Sequence, residues 1–210
     1  MATDPSDTNS VAPDSLATTM FRTLLYADVF GFPLTVVEIQ RFLVGRAASV
    51  TAVERALREE AWLAERVVMQ DGFVALAGRE VSLRLRTERL GYSQGLQRQA
   101  RRYGHVLAAL PFVRAVLLTG SLAVENSRDA RDDIDYLLIT GPGRLWLVRL
   151  FAVALVRVAR VLGADICPNY LLARDRLGLS ERSLFTAHEL AQMVPLHGAE
   201  VYAELIAANA

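Results

Sequence analysis

Two short stretches carry residues whose types and spacing suit chemistry on phosphates. Asp133 and Asp135 stand two positions apart in an otherwise apolar run. On a strand, side chains at i and i+2 share a face, so the two carboxylates would lie side by side. Such neighbours repel, and both stay ionised at neutral pH only when a cation sits between them. Hard carboxylate oxygens suit Mg²⁺ or Mn²⁺. Mg²⁺ usually completes its shell with substrate phosphates and water, which points to a phosphate-bearing substrate. Upstream, Gly120 and Ser121 end a second apolar run. A glycine lets the backbone come close to a phosphate. The following residues 122–126 can start a short helix, whose free N–H groups, with the Ser121 hydroxyl, would form an anion cradle. Gly-Ser alone is commonly a turn, and Asp-x-Asp alone is commonly a surface edge. The two together, both flanked by apolar residues, are far more specific.

Thr119-Gly120-Ser121, a gap, and Asp133-Ile134-Asp135-Tyr136 resemble the signature of the DNA polymerase beta-type nucleotidyltransferase superfamily. The signature covers about 20 residues, and the surrounding stretch 110–180 is compatible with it. The whole chain also resembles a bacterial group in which a winged-helix-like segment, here Tyr26-Ala-Asp-Val-Phe-Gly-Phe-Pro-Leu34, precedes the transferase core. The resemblance implies a mixed sheet with helices and a metal-dependent transfer of a nucleotidyl group from a nucleoside triphosphate. It implies that Asp133 and Asp135 hold the metals and that Gly120 and Ser121 hold the β- and γ-phosphates. Active members place a third carboxylate on a later strand. Here that strand offers Asp165, at its start, and Asn169, nearer the middle. Asp165 has the right chemistry, and its other reading is a loop residue. Asn169 cannot act as a base and is a weaker ligand.

The elements that must position these residues can be read from periodicity and punctuation. Residues 18–30 have apolar side chains at helical spacing, stopped by Gly31-Phe-Pro33. Thr35-Val-Val-Glu38 is a capping box, with Leu34 and Ile39 placed for a hydrophobic staple. Thr51-Ala-Val-Glu54 reads as a second box opening a helix to about Ala64. Asp71-Gly72 between two β-rich runs predicts a hairpin with a type I′ turn. From Pro111 the pattern changes. Residues 113–119, 134–139 and 166–172 read as strands, and a helix starts at Arg144. Helices over 183–193 and 199–208 close the chain. The predicted fold class is α+β: a small mixed-sheet nucleotidyltransferase core preceded by a winged-helix-like domain. The predicted segments are a disordered tail over 1–15, the winged-helix-like domain over 16–78, a basic linker helix over 79–110, the core over 111–180 and C-terminal helices over 181–210.

Composition narrows the function classes. Hydrophobic residues make up 52% of the 210, enough for a packed core. The 23 basic residues balance 23 acidic ones, so no general nucleic-acid affinity is expected. Every basic residue is Arg, so a phosphate clamp must use guanidinium or backbone N–H groups. Residues 79–102 concentrate seven arginines against two acids, a solvated helix or a basic wall facing a polyphosphate. In the candidate recognition helix, Arg55 and Arg58 are outnumbered by Glu54, Glu59 and Glu60, which argues against DNA binding.

The apolar stretch 145–162 is interrupted by Arg149, Arg157 and Arg160 on one side of a helix. It therefore reads as an amphipathic helix on a sheet rather than a membrane span. The polar, acidic first residues do not form a leader. A single cysteine, Cys167, excludes an intramolecular disulfide, and with no leader a cytoplasmic location is expected. Cys167, Trp62 and Trp146 are expected in the interior. His105, His188 and His197 lack metal-ligand spacing, and Ser121 lacks the Gly-x-Ser-x-Gly frame of a hydrolase.

The expected partners are a nucleoside triphosphate and an acceptor that is a small molecule, a protein or an RNA end, with a homo-oligomer left open. Two other readings stand beside the transferase: a catalytically weak transferase-fold nucleotide-binding or interaction module, and a winged-helix DNA-binding regulator.

Overall fold

The computed structural model describes residues 15–210. The predicted tail over 1–15 thus lies outside the described residues, except for Ser15. The chain is α+β and divides into two units, the first ending at Arg84 and the second starting at Leu85.

In the first unit, helix α1 (Leu16–Val29) starts where the Ser15 side chain accepts from the Thr18 N–H. Strand β1 (Leu34–Thr35) leads into helix α2 (Val36–Arg41). The predicted capping box closes α2. Glu38 N–H donates to Thr35 Oγ1 at 3.2 Å, and Thr35 N–H donates to Glu38 Oε2 at 2.7 Å. Leu34 and Ile39 are both buried, as a staple requires.

The second predicted box does not form. Helix α3 (Val50–Glu59) is capped by Ser49, two residues earlier, whose Oγ accepts from Ala52 N–H at 3.1 Å. Thr51 therefore falls inside the helix. The chain breaks at Glu60, and a single turn, α4 (Ala61–Ala64), follows. Strands β2 (Val67–Gln70) and β3 (Phe73–Leu76) form the predicted hairpin. Asp71 and Gly72 have φ of 53° and 81°, the left-handed pair a type I′ turn needs. β1 pairs with the free side of β3, giving an antiparallel sheet in the order β1-β3-β2.

Helix α5 (Glu80–Ala108) carries the boundary and continues into the second unit. There the strands are β4 (Val113–Leu118), β5 (Ile134–Thr140), β6 (Ile166–Ala173) and β7 (Val194–His197). The sheet is mixed, in the order β6-β5-β4-β7, with β5 and β6 parallel and β4 antiparallel to both its neighbours. Four helical pieces connect or follow these strands: α6 (Gly120–Ala123), α7 (Leu145–Val161), α8 (Leu184–Gln192) and α9 (Ala199–Ala208). β7 was not expected. It is a four-residue edge strand whose Pro195 pairs with Leu117. Proline is tolerated on an edge, but it hides the strand from a propensity reading.

The two faces of this sheet build two cores. Ile134, Tyr136 and Leu138 pack with Leu96, Ala100 and Leu107 of α5 and with Val148 and Ala152 of α7. Leu137 and Ile139, on the opposite face, pack with Leu190, Val201 and Leu205. Strand alternation thus assigns α5 and α7 to one face and α8 and α9 to the other. α5 is more than a linker: Leu96, Ala100, Tyr103 and Leu107 are buried in the core. In α7 the buried residues are Val148, Ala152 and Ala159, while Arg149, Arg157 and Arg160 are exposed, as the spacing predicted. Among the described residues no helix is long and apolar enough to cross a membrane. The tryptophans depart from expectation. Trp146 is 78% exposed and Trp62 is only partly buried. Trp146 lies in the first turn of α7, on the side away from Val148 and Ala152.

Candidate functional site

The end of β4 and the start of β5 bring the two sequence stretches together. Thr119 N–H donates to the Asp135 carbonyl at 3.0 Å, which fixes Gly120 beside Asp135. Gly120 has φ of 68°, a conformation that disfavours any side chain. A Cβ there would overlap Asp135 Oδ2. The carboxylate thus occupies the space that glycine leaves open. α6 is only one turn long, so no macrodipole of consequence acts here. Ser121 has a definite task in this structure: its Oγ donates to Asp132 Oδ2 at 2.9 Å. The same Asp132 oxygen accepts from Arg128 N–H at 2.9 Å, so it closes the loop that delivers Asp133.

The loop after α6 is held from α5. Arg86 donates to the Glu125 carbonyl, Gln97 Nε2 to Glu125 Oε1 at 2.7 Å, and Arg89 Nη1 to Asn126 Oδ1 at 3.2 Å. Two arginines of the predicted basic wall are thereby committed to the protein's own loop. Arg98, Arg101 and Arg102 are exposed.

Asp133 is exposed and Asp135 is half-buried. Asp135 lies on the β5 face that carries Leu137 and Ile139. One ligand atom from each of Asp133, Asp135 and Cys167 lies within 4.8 Å of the others. Burial first, and then the Asp133 charge, push the Asp135 carboxyl up to about 6. Asp132 and Glu189 add to this rise, while the Cys167 thiol, donating to Asp135, opposes it. Burial and the Asp135 and Asp133 charges raise the Cys167 thiol in turn. Cys167 is therefore a neutral donor at ordinary pH rather than a thiolate. It is partly exposed, not interior as expected.

The third-strand candidates separate. Cys167, in register with Asp135, takes the place opposite the pair. Beyond it the register slips, with Tyr170 opposite Leu137, so three residues of β6 step past two of β5. That bulge, which contains Pro168, swings Asn169 back toward the site. Asn169 Nδ2 donates to Asp135 Oδ1 at 2.9 Å. Asn169 therefore orients Asp135 and does not act as a base. The Asp165 carbonyl accepts from Ile134 N–H at 2.9 Å, while its carboxylate pairs with Arg160 at 3.4 Å.

Sequence reasoning missed Cys167 and Glu189. Cys167 sits between the two residues singled out, and only its register with Asp135 marks it. Glu189 of α8 reaches the site through the tertiary fold; burial raises its own carboxyl. No local spacing could have linked it to Asp135.

The donor set fits a hard divalent cation. Two carboxylates supply hard oxygens, and the Cys167 sulfur is the third ligand atom within reach of them. Compared with known proteins, the chain matches no family model, no curated protein and no solved structure.

Proposed function

We propose that the protein is a nucleotidyltransferase that moves a nucleoside monophosphate from a nucleoside triphosphate to an acceptor, with Mg²⁺ or Mn²⁺ held by Asp133 and Asp135. The observation that carries this reading is the juxtaposition of Gly120 with the carboxylate pair. The absence of a side chain on Gly120 lets the Asp135 carboxylate sit against the backbone at the end of β4, where a phosphate could approach a cation held by the pair. In this reading the second unit is the nucleotidyltransferase core and the first is a winged-helix-like domain. The antiparallel hairpin after four helical segments, the last a single turn, and the mixed sheet are compatible with those assignments.

In the transfer, an acceptor oxygen attacks the α-phosphorus. The bond from that phosphorus to the α–β bridging oxygen breaks, and pyrophosphate leaves with the electron pair. The acceptor's proton goes to solvent or to a nearby carboxylate. A bound divalent cation supplies charge neutralisation on the phosphates. Asp133 and Asp135 bind that cation, Asn169 keeps Asp135 oriented, and Gly120 and the backbone N–H groups beside it face the β- and γ-phosphates. Ser121 contributes by holding Asp132 and hence the approach to Asp133.

A second reading, a catalytically weak nucleotide-binding or interaction module, is favoured by one observation. The position opposite Asp135 is Cys167, Asp165 pairs with Arg160, and Asn169 offers a donor, so none of the three is a free base. One experiment separates the readings. The protein is incubated with each α-labelled triphosphate, Mg²⁺ and a cell extract. Transfer of label to a molecule of the extract, lost in D133A/D135A, supports the transferase. Triphosphate binding without any transfer supports the module.

A further inference from the structure

A groove of about 430 Å³ runs between α7 and the edge strand β6. Its size lies within the roughly 300–1,000 Å³ of small-molecule sites. Its floor is apolar, made by Ala152, Val156, Ile166 and Leu171. Its rim carries Arg149, Arg157 and Arg160, and Asp133 lines one end. α7 contains no acidic residue. Arg160 is matched by Asp165 at 3.4 Å, whereas Arg149 and Arg157 make no ion pair or hydrogen bond among the described residues. Two uncompensated guanidinium groups above an apolar floor select a ligand with an anionic group and an apolar body.

The polarity of the groove follows from topology. α7 is the crossover between parallel strands β5 and β6, so it runs back along them. Its C-terminal end lies by the strand starts, as the Arg160–Asp165 pair records, and Arg149 lies toward the other end, on the side of Leu171. An anionic group is repelled by Asp133 and drawn to Arg149, which lies about 12 Å along the helix from Arg157; Arg157 sits one turn before Arg160, nearer the Asp133 end. The opposite end of the ligand then points to Asp133.

We infer that this groove binds a small amphipathic anion, with a carboxylate or phosphate held at Arg149, an apolar body lying along the floor past Arg157, and a hydroxyl end directed at Asp133. Its role as acceptor in the transfer rests on the proposed function; its binding does not.

Calorimetry with four probes of similar length tests this: hydroxyhexyl phosphate, hydroxyhexanoate, hexanediol and aminohexanol. The two anions are expected to bind at least about tenfold tighter than the diol, with the amine weakest. Which of the two anions binds tighter identifies the anionic group. The R149Q/R157Q variant changes only exposed side chains and should keep the wild-type unfolding temperature. It should lose about tenfold in affinity for both anions and none for the diol. Val156→Trp, which fills the groove from its floor, should weaken all four. Equal affinity for anion and diol, unchanged anion binding in R149Q/R157Q, or binding only to phosphatidylglycerol vesicles would overturn the inference. Asp135→Ala separates it from the transferase reading: Asp135 does not line the groove, so that variant should retain hydroxyhexyl phosphate while losing triphosphate. If wild-type protein binds the anions but no triphosphate, the groove stands and the transferase reading fails.

Discussion

Asp135 Oδ2 lies where a side chain on Gly120 would have to begin. This relationship joins the end of β4 to the start of β5 and sets the shape of the site. Gly120 is needed twice, once for its φ of 68° and once for the space beside it. Replacing it tests both needs together.

Gly120→Ala should destabilise the protein by about 1–3 kcal/mol, because an L-residue is strained at that φ and its methyl displaces the carboxylate. Denaturant unfolding measures the first effect. Mn²⁺ affinity, measured on the folded variant, should fall at least about tenfold. A variant with wild-type stability and affinity would show that the close approach is dispensable.

Asp135 makes the apo protein pH-sensitive in a defined direction. Its folded-state carboxyl is raised to about 6, so the folded state binds that proton more tightly than the unfolded chain does. Its contribution to stability is fully present below the ordinary carboxylate range and is lost as pH rises through about 6. Asp135→Asn removes the titration and preserves the shape. In the absence of divalent cations it should be more stable than wild type at pH near 8, by on the order of 1 kcal/mol after discounting for partial solvent screening. Near pH 4 the difference should vanish. Metal affinity of the wild type should follow the opposite course, rising through about pH 6 as the carboxyl ionises.

Cys167 reports on the same charges. Burial, then Asp135 and Asp133, hold its thiol protonated, and only the thiolate reacts with iodoacetamide. Alkylation at pH near 8 should be several-fold slower than for a small free thiol. The D133N/D135N variant should react faster, since it removes both charges and leaves the packing in place. Equal rates in the two proteins would mean that the thiol does not sense the pair.

The parts of this fold that were legible are those fixed by neighbours in sequence. The Thr35–Glu38 box and the Asp71-Gly72 turn form because their partners are three residues apart or adjacent, and both stand in the structure as read. The Thr51 box failed to the same kind of force, because Ser49 offered a hydroxyl first. Strand β7 was hidden by Pro195 and exists through its pairing with β4.

At the site, the Gly120, Asp133 and Asp135 proximity was legible because β4 and β5 are adjacent antiparallel strands of obvious pattern. The roles of Asn169 and Cys167 were not. They depend on a one-residue slip between β5 and β6, which no single segment encodes. Trp146 misled because a large aromatic is usually interior, whereas the buried stripe of α7 is set by Val148, Ala152 and Ala159.

Asp133 and Asp135 are proposed to hold a divalent cation that in turn binds a nucleoside triphosphate. The most direct measurement is an electron paramagnetic resonance titration of Mn²⁺ in the presence and absence of a triphosphate, on wild type, D133A/D135A and Tyr136→Phe. Tyr136 lies on the other sheet face, where its hydroxyl donates to the Ala100 carbonyl at 2.7 Å, so its loss should cost about 1 kcal/mol of stability and leave binding intact. Mn²⁺ binding should be strengthened by triphosphate in wild type and Tyr136→Phe, and abolished in D133A/D135A. Undiminished Mn²⁺–triphosphate binding in a folded D133A/D135A protein would contradict it.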